Sequence, residues 1–479
     1  MAKSKEKVQF KELSITSWDS GEGVDISTGC IQFKYYESIL SNHVTASMVL
    51  GETGNTVGEG KQKKNLLDGL PVRGGEAVRF RVKDPNDNEI KFVGENAFYV
   101  NTVRDVLQDT SKTIATFDLC TKEFLANEQT RVVKRYSGKI SENVKKILRD
   151  VLQTKNFNAR DIEETANSYN FIGNVKKPFY TLTWLASKCI PADGAYGATA
   201  GFLFFETQDG FQFKSIDTLV GPTKGGGSAD SKGAKKFEYT DTDKRQPGFG
   251  KIIQYNLNQN INLQEKLTIG AYNSRFLFFN PFTFEVKYSD FAMDRDQKTK
   301  VKKSGEQLDF VAEEFRQGPT RGLSAILDVG TLPTGFDGLK QLAQWKLKPE
   351  ETNDRVKERM VQSITRYNQL FSISVDIMIE ADFSLRAGDT IYCQFPDLSA
   401  KTSTHNKETS GNYLIASMCH KITPDRSFTT LNLIRDSFGK PEGRPEGFAR
   451  VLAGVADHMT GNFFDFDKRG GWLGPNSRI

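Results

Sequence analysis

The chain has little cysteine and no long apolar run, and both features limit the classes of protein to which it can belong. Its 479 residues contain five Cys, none spaced as a Cys-x-x-Cys pair: Cys30, Cys120, Cys189, Cys393 and Cys419. An odd, widely spread set argues against a disulfide framework and indicates reduced, mostly buried thiols in a protein made in the cytosol. No apolar run approaches the ~20 residues of a membrane span. The N-terminal segment also lacks the apolar core of a signal peptide.

Residues that carry common enzyme chemistry are equally scarce. The four His are His43, His405, His420 and His458. Only Cys419 and His420 are neighbouring metal-ligand types, and in a strand they point to opposite faces, so no zinc site is predicted. Gly54 and Gly60 are one residue too far apart for a phosphate loop, and Lys61 is not followed by Ser or Thr. No Gly-x-Ser-x-Gly elbow is present.

Adjacent carboxylates are read as solvated charge on helix surfaces. The pairs are Glu163-Glu164 and Glu350-Glu351. A lysozyme-like pair formed by residues distant in sequence stays open at this stage, because such carboxylates need not be neighbours. The sequence therefore predicts no catalytic, cofactor-binding or metal-binding residue.

What the chain has in quantity is length, phenylalanine and balanced charge. A chain of 479 residues is too long for one core, and about three to four domains are expected. The 35 Phe, against 4 Trp and 14 Tyr, favour β-rich packing. The net charge of +5, from 65 basic and 60 acidic residues, does not indicate a dedicated nucleic-acid binder.

Two distant stretches, 70–119 and 385–433, follow the same order of Gly-containing turn, apolar strand, polar loop and two further strands. At a constant offset of 314 they share four identities: Gly74/Gly388, Tyr99/Tyr413, Thr116/Thr430 and Leu119/Leu433. Two similar β modules in one chain would provide six in a trimer. The alternative is two unrelated β domains that use the same hairpin grammar.

The order of elements predicts the domains. Residues 1–128 form a first β domain, in which 78–82 and 90–93 pair as a hairpin. Residues 129–220 form an α/β side domain with a helix from Ser141 to Leu152, capped by Ser141, and a second helix that begins at Pro178. An Asp209-Gly210 turn then joins two apolar strands. Residues 221–236 form a flexible linker rich in Gly, Lys and Ser.

The C-terminal half is predicted as a second β domain split by an insertion. The β domain comprises 237–291 and 365–438, and the insertion of 292–364 ends in a helix over about 349–367. The tail of 439–479 carries Phe463, Phe464, Phe466 and Trp472. It docks either on a partner or on its own chain.

Several segments resemble the baseplate hub family of T-even-like contractile-tail phages. They are Phe171-Ile172-Gly173-Asn174 through to Trp184-Leu185-Ala186-Ser187-Lys188, and the hairpin of 201–207 with Gly210-Phe211. The ending Leu431-Asn432-Leu433-Ile434-Arg435-Asp436-Ser437 is similar to the end of that family's barrel. With the Gly388-Asp389 turn, it is also similar to the hub barrels of type VI secretion spike proteins. The resemblance covers most of 8–438.

The resemblance implies a fold and a function. The fold class is α+β and β-rich, with two tube-like antiparallel β-barrels, an α/β side domain and an insertion. The function is that of a structural subunit, not an enzyme, of a virion tail baseplate assembled in the host cytoplasm. A homotrimer would form a pseudo-sixfold ring between a hexameric tail-tube or tube-initiator protein and the trimeric central spike. Baseplate wedge proteins would surround it, and DNA would pass through without specific binding.

The resemblance has two further consequences and leaves two rival functions open. Neither a cofactor nor a membrane partner is implied, and cleavage of the cell wall belongs to the spike component in this family. The chain is longer than the T-even hub, which leaves the partners of its insertion and tail open. The rivals are a tail-associated peptidoglycan hydrolase and a receptor-binding β protein.

Overall fold

The structure is a computed structural model of the chain. It describes residues 8–438 except 18–20, 22, 54–65, 71, 111, 193–199, 221–233, 241–247, 260–261, 281–283, 293–303, 306, 309–311, 317, 327–339, 341–342, 344–365 and 398–404. The predictions for the tail, for most of the linker and for much of the insertion lie outside these residues. Of the helix predicted over 349–367 only the last two positions are described, and they lie in a helical turn of 366–370.

The N-terminal region forms an antiparallel sheet around its own core, here called the first barrel, and no pairing among its described strands closes it into a cylinder. Its described elements are β1 Gln9–Thr16, β2 Gly23–Asp25, β3 Cys30–Ser38, β4 Thr45–Glu52, α1 Leu66–Gly69, β5 Ala77–Lys83, β6 Glu89–Phe92, β7 Phe98–Gln108 and β8 Thr113–Thr121. The strands run antiparallel in the order β2-β1-β5-β7-β8-β4-β3, and β6 pairs with β5 as the predicted hairpin. Directly after β2, the N–H of Ile26 donates to the carbonyl of Leu13 in β1 at 2.9 Å.

The side domain packs helices on a hairpin. Its described elements are α2 Lys122–Gln129, β9 Arg135–Tyr136, α3 Ile140–Lys146, β10 Phe171–Ile172, α4 Pro178–Ala186, β11 Phe202–Thr207, β12 Gly210–Ser215 and α5 Ile216–Val220. The helix that begins at Pro178 and the tight turn before Gly210 are confirmed. The α3 helix continues as one π-helical turn, Ile147–Val151.

The predicted cap of α3 was wrong. Lys139 occupies the cap position and makes no side-chain cap bond. Ser141 is fully buried inside the first turn, and its hydroxyl accepts the N–H of Thr165 at 3.3 Å. The hydroxyl therefore ties the helix to a neighbouring segment, because a partner distant in sequence competes for it.

The C-terminal half contains the second barrel and a separate sheet. Its described elements are β13 Lys236–Tyr239, β14 Phe249–Gln259, α6 Leu263–Thr268, β15 Asn273–Asn280, β16 Glu285–Ala292, β17 Gln307–Leu308, β18 Arg321–Ile326, β19 Ile373–Glu380, β20 Thr390–Gln394, β21 Gly411–Ile422, β22 Ser427–Arg435 and β23 Ser437–Phe438. Six strands close on themselves in the order β13-β14-β19-β22-β21-β20. The second barrel is thus a closed cylinder.

Two details of the second barrel differ from expectation. β15 and β16, predicted in the barrel, form the insertion sheet with β18, in the order β16-β15-β18. β13 runs parallel to both β14 and β20, so the barrel is not wholly antiparallel. An alternating pattern predicts a strand and its buried face, but neither the neighbour that it pairs with nor the direction of pairing.

Phenylalanine fills separate cores, as predicted. Phe33, Phe80, Phe98 and Phe117 lie in the core of the first barrel. The side domain buries its own aromatic set on β11 and β12. The second barrel has an aliphatic core that includes Tyr413. The chain is therefore a β-rich α+β protein with two barrels, a side domain and an insertion.

Candidate functional site

The described residues contain no metal-binding cluster and no disulfide. Among the described residues, no group of three or more His, Cys, Asp or Glu could hold a metal ion. The five Cys are free thiols, and all but the half-buried Cys419 are buried. No helix in the described part of the chain is long and apolar enough to cross a membrane.

Two of the His are held neutral by burial. His43 stacks on Phe124 with ring centroids 4.1 Å apart, and burial lowers its pKa to about 4. His420 accepts or donates at Thr429 Oγ1 across 2.8 Å, and burial lowers its pKa to about 3. Both side chains pack against neighbouring elements. His458 lies outside the described residues.

The carboxylate pair Glu163-Glu164 is not on a helix surface as predicted. It follows a short 3-10 turn in an extended segment. Glu163 is half-buried, accepts the N–H and the hydroxyl of Ser215 at 2.7 and 2.9 Å, and has a pKa raised by burial. It fastens the extended segment to β12. Glu350-Glu351 lies outside the described residues.

The two barrels repeat one another strand by strand. In the first, β5-β7-β8-β4-β3 are successive antiparallel neighbours, and in the second β20-β21-β22-β19-β14 are. β3, β4, β5, β7 and β8 correspond to β14, β19, β20, β21 and β22, in the same sequence order, whereas β6 has no counterpart among the described strands. The sixth position differs, because β1 runs antiparallel to β5 whereas β13 runs parallel to β20.

The irregularities coincide as well as the strands. β7 has a bulge at Asn101, between the residues that pair with Leu119 and Asp118. β21 has a bulge at Ala416, between the residues that pair with Leu433 and Asn432. β3 bulges at Ile31 against β4, and β14 bulges at Ile253 against β19. Bulges are specific local features of a strand pair, so two coincident bulges support a duplicated barrel more strongly than strand order alone.

The Gly-containing turn is also shared. Gly75 and Gly388 have φ values of 92° and 91°. The N–H of Gly75 donates to Val100 O at 2.8 Å, and that of Gly388 donates to Ile415 O at 2.9 Å. Both turns read Arg-x-Gly followed by an acid, whose carboxylate accepts the Arg N–H. A left-handed φ with no Cβ explains the Gly.

These registers correct the sequence alignment. The constant offset of 314 holds for Thr116/Thr430 and Leu119/Leu433 on the closing strands, as their pairing shows. The turn aligns at 313, which matches Gly75, not Gly74, with Gly388. The Tyr-led strand aligns at 315, so that Tyr99 matches Leu414.

One strand pair joins the two barrels into a continuous sheet. β3 of the first barrel pairs antiparallel with the second half of β21, from Phe33↔Ile422 to Ser38↔Ser417. Tyr35 and His420 are both buried there and stack with their centroids 6.2 Å apart. The first half of β21 pairs with β20 on the same edge. The contact therefore fixes one barrel against the other through backbone and core alike.

A buried carboxylate on β3 fastens three parts of the chain at that junction. Glu37 is 2% exposed. It accepts the hydroxyl of Tyr35 at 2.8 Å, the N–H of Gln208 in the side domain at 2.8 Å and the N–H of Ala387 in the second barrel at 2.9 Å. Burial raises the pKa of Glu37, although Arg386 opposes that shift.

Glu206 performs the same task between the side domain and the first barrel. It is fully buried and accepts the N–H of Val44 at 3.0 Å, the hydroxyl of Thr121 at 3.3 Å and the amide of Asn156 at 3.1 Å. Burial, and then the nearby Glu123, raise its pKa well above the ordinary Glu value. Its three partners lie on three different segments.

Arg366 ties the segment before β19 to the side domain and to the end of β22. Its side chain, Asp217 and Asp436 are all 0% exposed. Arg366 donates to Asp436 at 2.6 Å and to Asp217 at 3.3 Å. Burial opposes the charge, but the two carboxylates raise the pKa of Arg366 above its ordinary value. Asp436 also accepts the N–H of Ser304, which attaches the insertion.

None of these three anchoring residues was identified from the sequence. A signal exists for two of them, because Glu37 and Glu206 each occupy the core-facing phase of an otherwise apolar or aromatic strand. Arg366 sits in a helical turn with no such signal. The described anchoring residues thus hold modules in fixed relation to one another.

Comparisons with known proteins bear on the fold. No protein-family model matches the chain, and no curated protein matches its sequence. Similar solved structures include a tail protein from Neisseria meningitidis, with 10% identity, a TM-score of 0.47, and coverage of 90% of this chain and 97% of that one.

Two further structures are similar to a comparable extent. The 43 kDa tail protein of prophage MuSo2 from Shewanella oneidensis has 10% identity, a TM-score of 0.45 and coverage of 89% and 99%. A component of the E. coli type VI secretion system has 9% identity, a TM-score of 0.40 and coverage of 92% and 81%. Two of these three structures are described as tail proteins and the third as a component of a type VI secretion system.

Proposed function

We propose that the chain is a structural subunit of the baseplate hub of a contractile tail. Three copies place six barrels around one axis and form a pseudo-sixfold ring. One face of the ring meets the hexameric tail-tube or tube-initiator protein, and the other meets the trimeric central spike. The ring leaves a channel for DNA, and baseplate wedge proteins surround it in the virion.

The observation that carries this proposal is the duplicated barrel. The shared strand order, the coincident bulges and the shared turn make each chain two copies of one module. A closed ring requires repeated, similar contacts, and a chain with two similar modules meets a sixfold partner with only three subunits. The division into two barrels, side domain, linker, insertion and tail belongs to the proposal, with β15 and β16 assigned to the insertion.

The anchoring residues support the same function. A ring that matches another ring must keep its modules at fixed positions, and Glu37, Glu206 and Arg366 each join segments of different modules through buried bonds. A modest net charge of +5 suits a channel for DNA, because retention of DNA grows with each phosphate that a protein neutralises.

Light scattering on the full-length chain, followed by negative-stain imaging, tests the proposal. A trimer whose threefold projections show six similar lobes is the expected result. A monomer over the whole concentration range, alone and with a trimeric spike protein, would overturn it. Peptidoglycan clearing in a zymogram, or binding of the isolated chain to host cells, would instead favour the hydrolase or the receptor-binding protein.

A further inference from the structure

Among the described strands, the internal contact between the barrels leaves two edges unused. Each barrel carries one edge of the β3 type and one of the β21 type. The first barrel uses its β3 edge and the second uses its β21 edge, to pair with one another. The edges left over are the counterparts: β7, which corresponds to β21, and β14, which corresponds to β3.

On that side, neither counterpart has a strand partner among the described residues beyond the start of the strand. β7 pairs with β5 only at Tyr99 and Phe98, and in the described part of the chain residues 102–108 pair with β8 alone. β14 pairs with β13 only as far as Ile252, and the described residues pair 254–259 with β19 alone. A free edge presents unpaired N–H and C=O groups that favour addition of another strand.

The geometry points to antiparallel pairing of β7 in one copy of this chain with β14 in the next. This inference rests on the proposed function and supplies the contact that closes its ring. The register follows from the internal pair. In the internal pair, Cys419 faces Tyr36. Arg104 is the counterpart of Cys419 and Asn258 is the counterpart of Tyr36, because the residues that pair with them on the neighbouring strands correspond. Arg104 therefore faces Asn258 in the new pair. By the same relation Leu107 faces Asn256.

Side chains along the two edges fit this arrangement. Val106 and Leu107 are 47% and 68% exposed, which is unusual for apolar residues side by side on a strand. The internal pair places Lys34 opposite Lys421, a repulsive cross-strand pair. The corresponding position of the new pair has Asn256 opposite Leu107 and no like charges.

One feature of β7 has no counterpart in β21. An extra residue lies between Arg104 and Leu107, where Asp105 has a φ of 53°. Bulges and charges also serve to keep edge strands from pairing. Here the charge of Arg104 is engaged within the same hairpin, by Asp118 at 2.7 Å and by Asp105 at 2.9 Å. The bulge therefore limits which strand fits, and experiment decides between selective pairing and protection.

Disulfide trapping in the full-length chain tests the register. Under mild oxidation, Arg104→Cys with Asn258→Cys should form covalent species that end at the trimer. Leu107→Cys with Asn256→Cys should do the same, so that poor side-chain geometry at one pair does not decide the outcome. The control is Arg104→Cys with Gln254→Cys, four residues away on the same face of β14. Its separation of ~13 Å exceeds disulfide reach. The unsubstituted chain reports links from the native Cys.

The outcomes separate this inference from the function on which it rests. If light scattering shows trimers but neither pair links, or the control links equally well, the strand pairing is overturned and the hub proposal stands. If the chain stays monomeric and unlinked, both fail. Covalent species that continue beyond the trimer support the pairing and overturn closure by three copies.

A charge substitution provides an independent measurement. Leu107→Lys should raise the dissociation constant of the trimer by ~10-fold or more, since central interface residues commonly contribute that much. Ile326→Lys is the matched control, because Ile326 is 73% exposed on β18, which belongs to a different sheet from both edges. Equal effects of the two substitutions, with circular dichroism unchanged, would contradict the inference.

Discussion

Removal of the buried Arg366 charge is expected to disrupt the attachment of three segments at once. Arg366→Ala leaves Asp217 and Asp436 fully buried without their cation. Loss of one member of a buried ion pair costs roughly 3–5 kcal/mol, because the remaining charge keeps its desolvation penalty. A control is available in Arg275, whose forked contact to Asp290 at 2.7 and 2.8 Å is about half exposed. Such surface pairs contribute about 0–1 kcal/mol.

Hydrogen exchange followed by mass spectrometry is the suitable assay, because unfolding of a multidomain chain is not two-state. In Arg366→Ala, peptides that contain α5, residues 366–370 and β23 should lose protection by ~100-fold or more, which corresponds to ~3 kcal/mol. Arg275→Ala should change protection only near β15 and β16. The distant first barrel should be unaffected by either substitution.

A second variant removes the three charges together. The triple variant Arg366→Leu, Asp217→Asn and Asp436→Asn should recover most of the protection, because no buried charge is left unpaired. Asn at 436 still accepts the N–H of Ser304 through its amide oxygen. Protection in Arg366→Ala equal to that in Arg275→Ala would refute the argument, and so would a triple variant less stable than the single one.

Three further predictions concern the turns and the titrating residues. Gly388→Ala should destabilise the fold more than Gly75→Ala, by about 1 kcal/mol. The two φ values are equal, but an added Cβ at 388 would lie 3.0 Å from the Phe205 ring, whereas Gly75 faces open space. Thermal melting measures the difference, and equal losses of stability would contradict the prediction. The raised pKa of Glu206 means that its contribution to stability is lost as pH rises above the ordinary Glu value. Between roughly pH 5 and 8, the melting temperature of Glu206→Gln should therefore fall less than that of the wild type. Parallel curves of melting temperature against pH would refute this. For His43, with its pKa lowered from 6.5 to about 4, stability is lost as pH falls through that window. His43→Phe should flatten the acid limb of a melting-temperature profile, and an unchanged limb would count against it.

Much of the secondary structure was predictable because its signals are local. The hairpin of β5 and β6, the α4 helix that begins at Pro178, and the tight turn before β12 each depend on residues close in sequence. The resemblance of two distant stretches also indicated the second barrel. The constant offset of 314 was right for the closing strands and misplaced the turn by one residue in one direction and β7 by one in the other.

What the sequence did not predict depends on partners distant along the chain. β15 alternates as a barrel strand would, yet its parallel partner is β18 and it lies in the insertion sheet. Ser141 has the identity of a helix cap, but Thr165 takes its hydrogen bond. Glu37 interrupts an aromatic strand, and its role is evident only when Gln208 and Ala387 are placed around it.

The features that the two barrels share bear on assembly. The shared features, namely the bulges of β3, β7, β14 and β21 and the turn at Gly75 and Gly388, shape the strands that meet another barrel or could do so. The features found in one barrel only include the parallel β13, the second bulge of β7 at Asp105 and the contact of Ala387 with Glu37. The contact of Ala387 lies where the second barrel meets the first. If repeated contact between barrels is what constrains the fold, mutations that straighten the bulge at Ala416 or Asn101 should impair assembly before they impair folding. The reverse order, in which stability falls and trimers persist, would show that the bulges serve the fold alone.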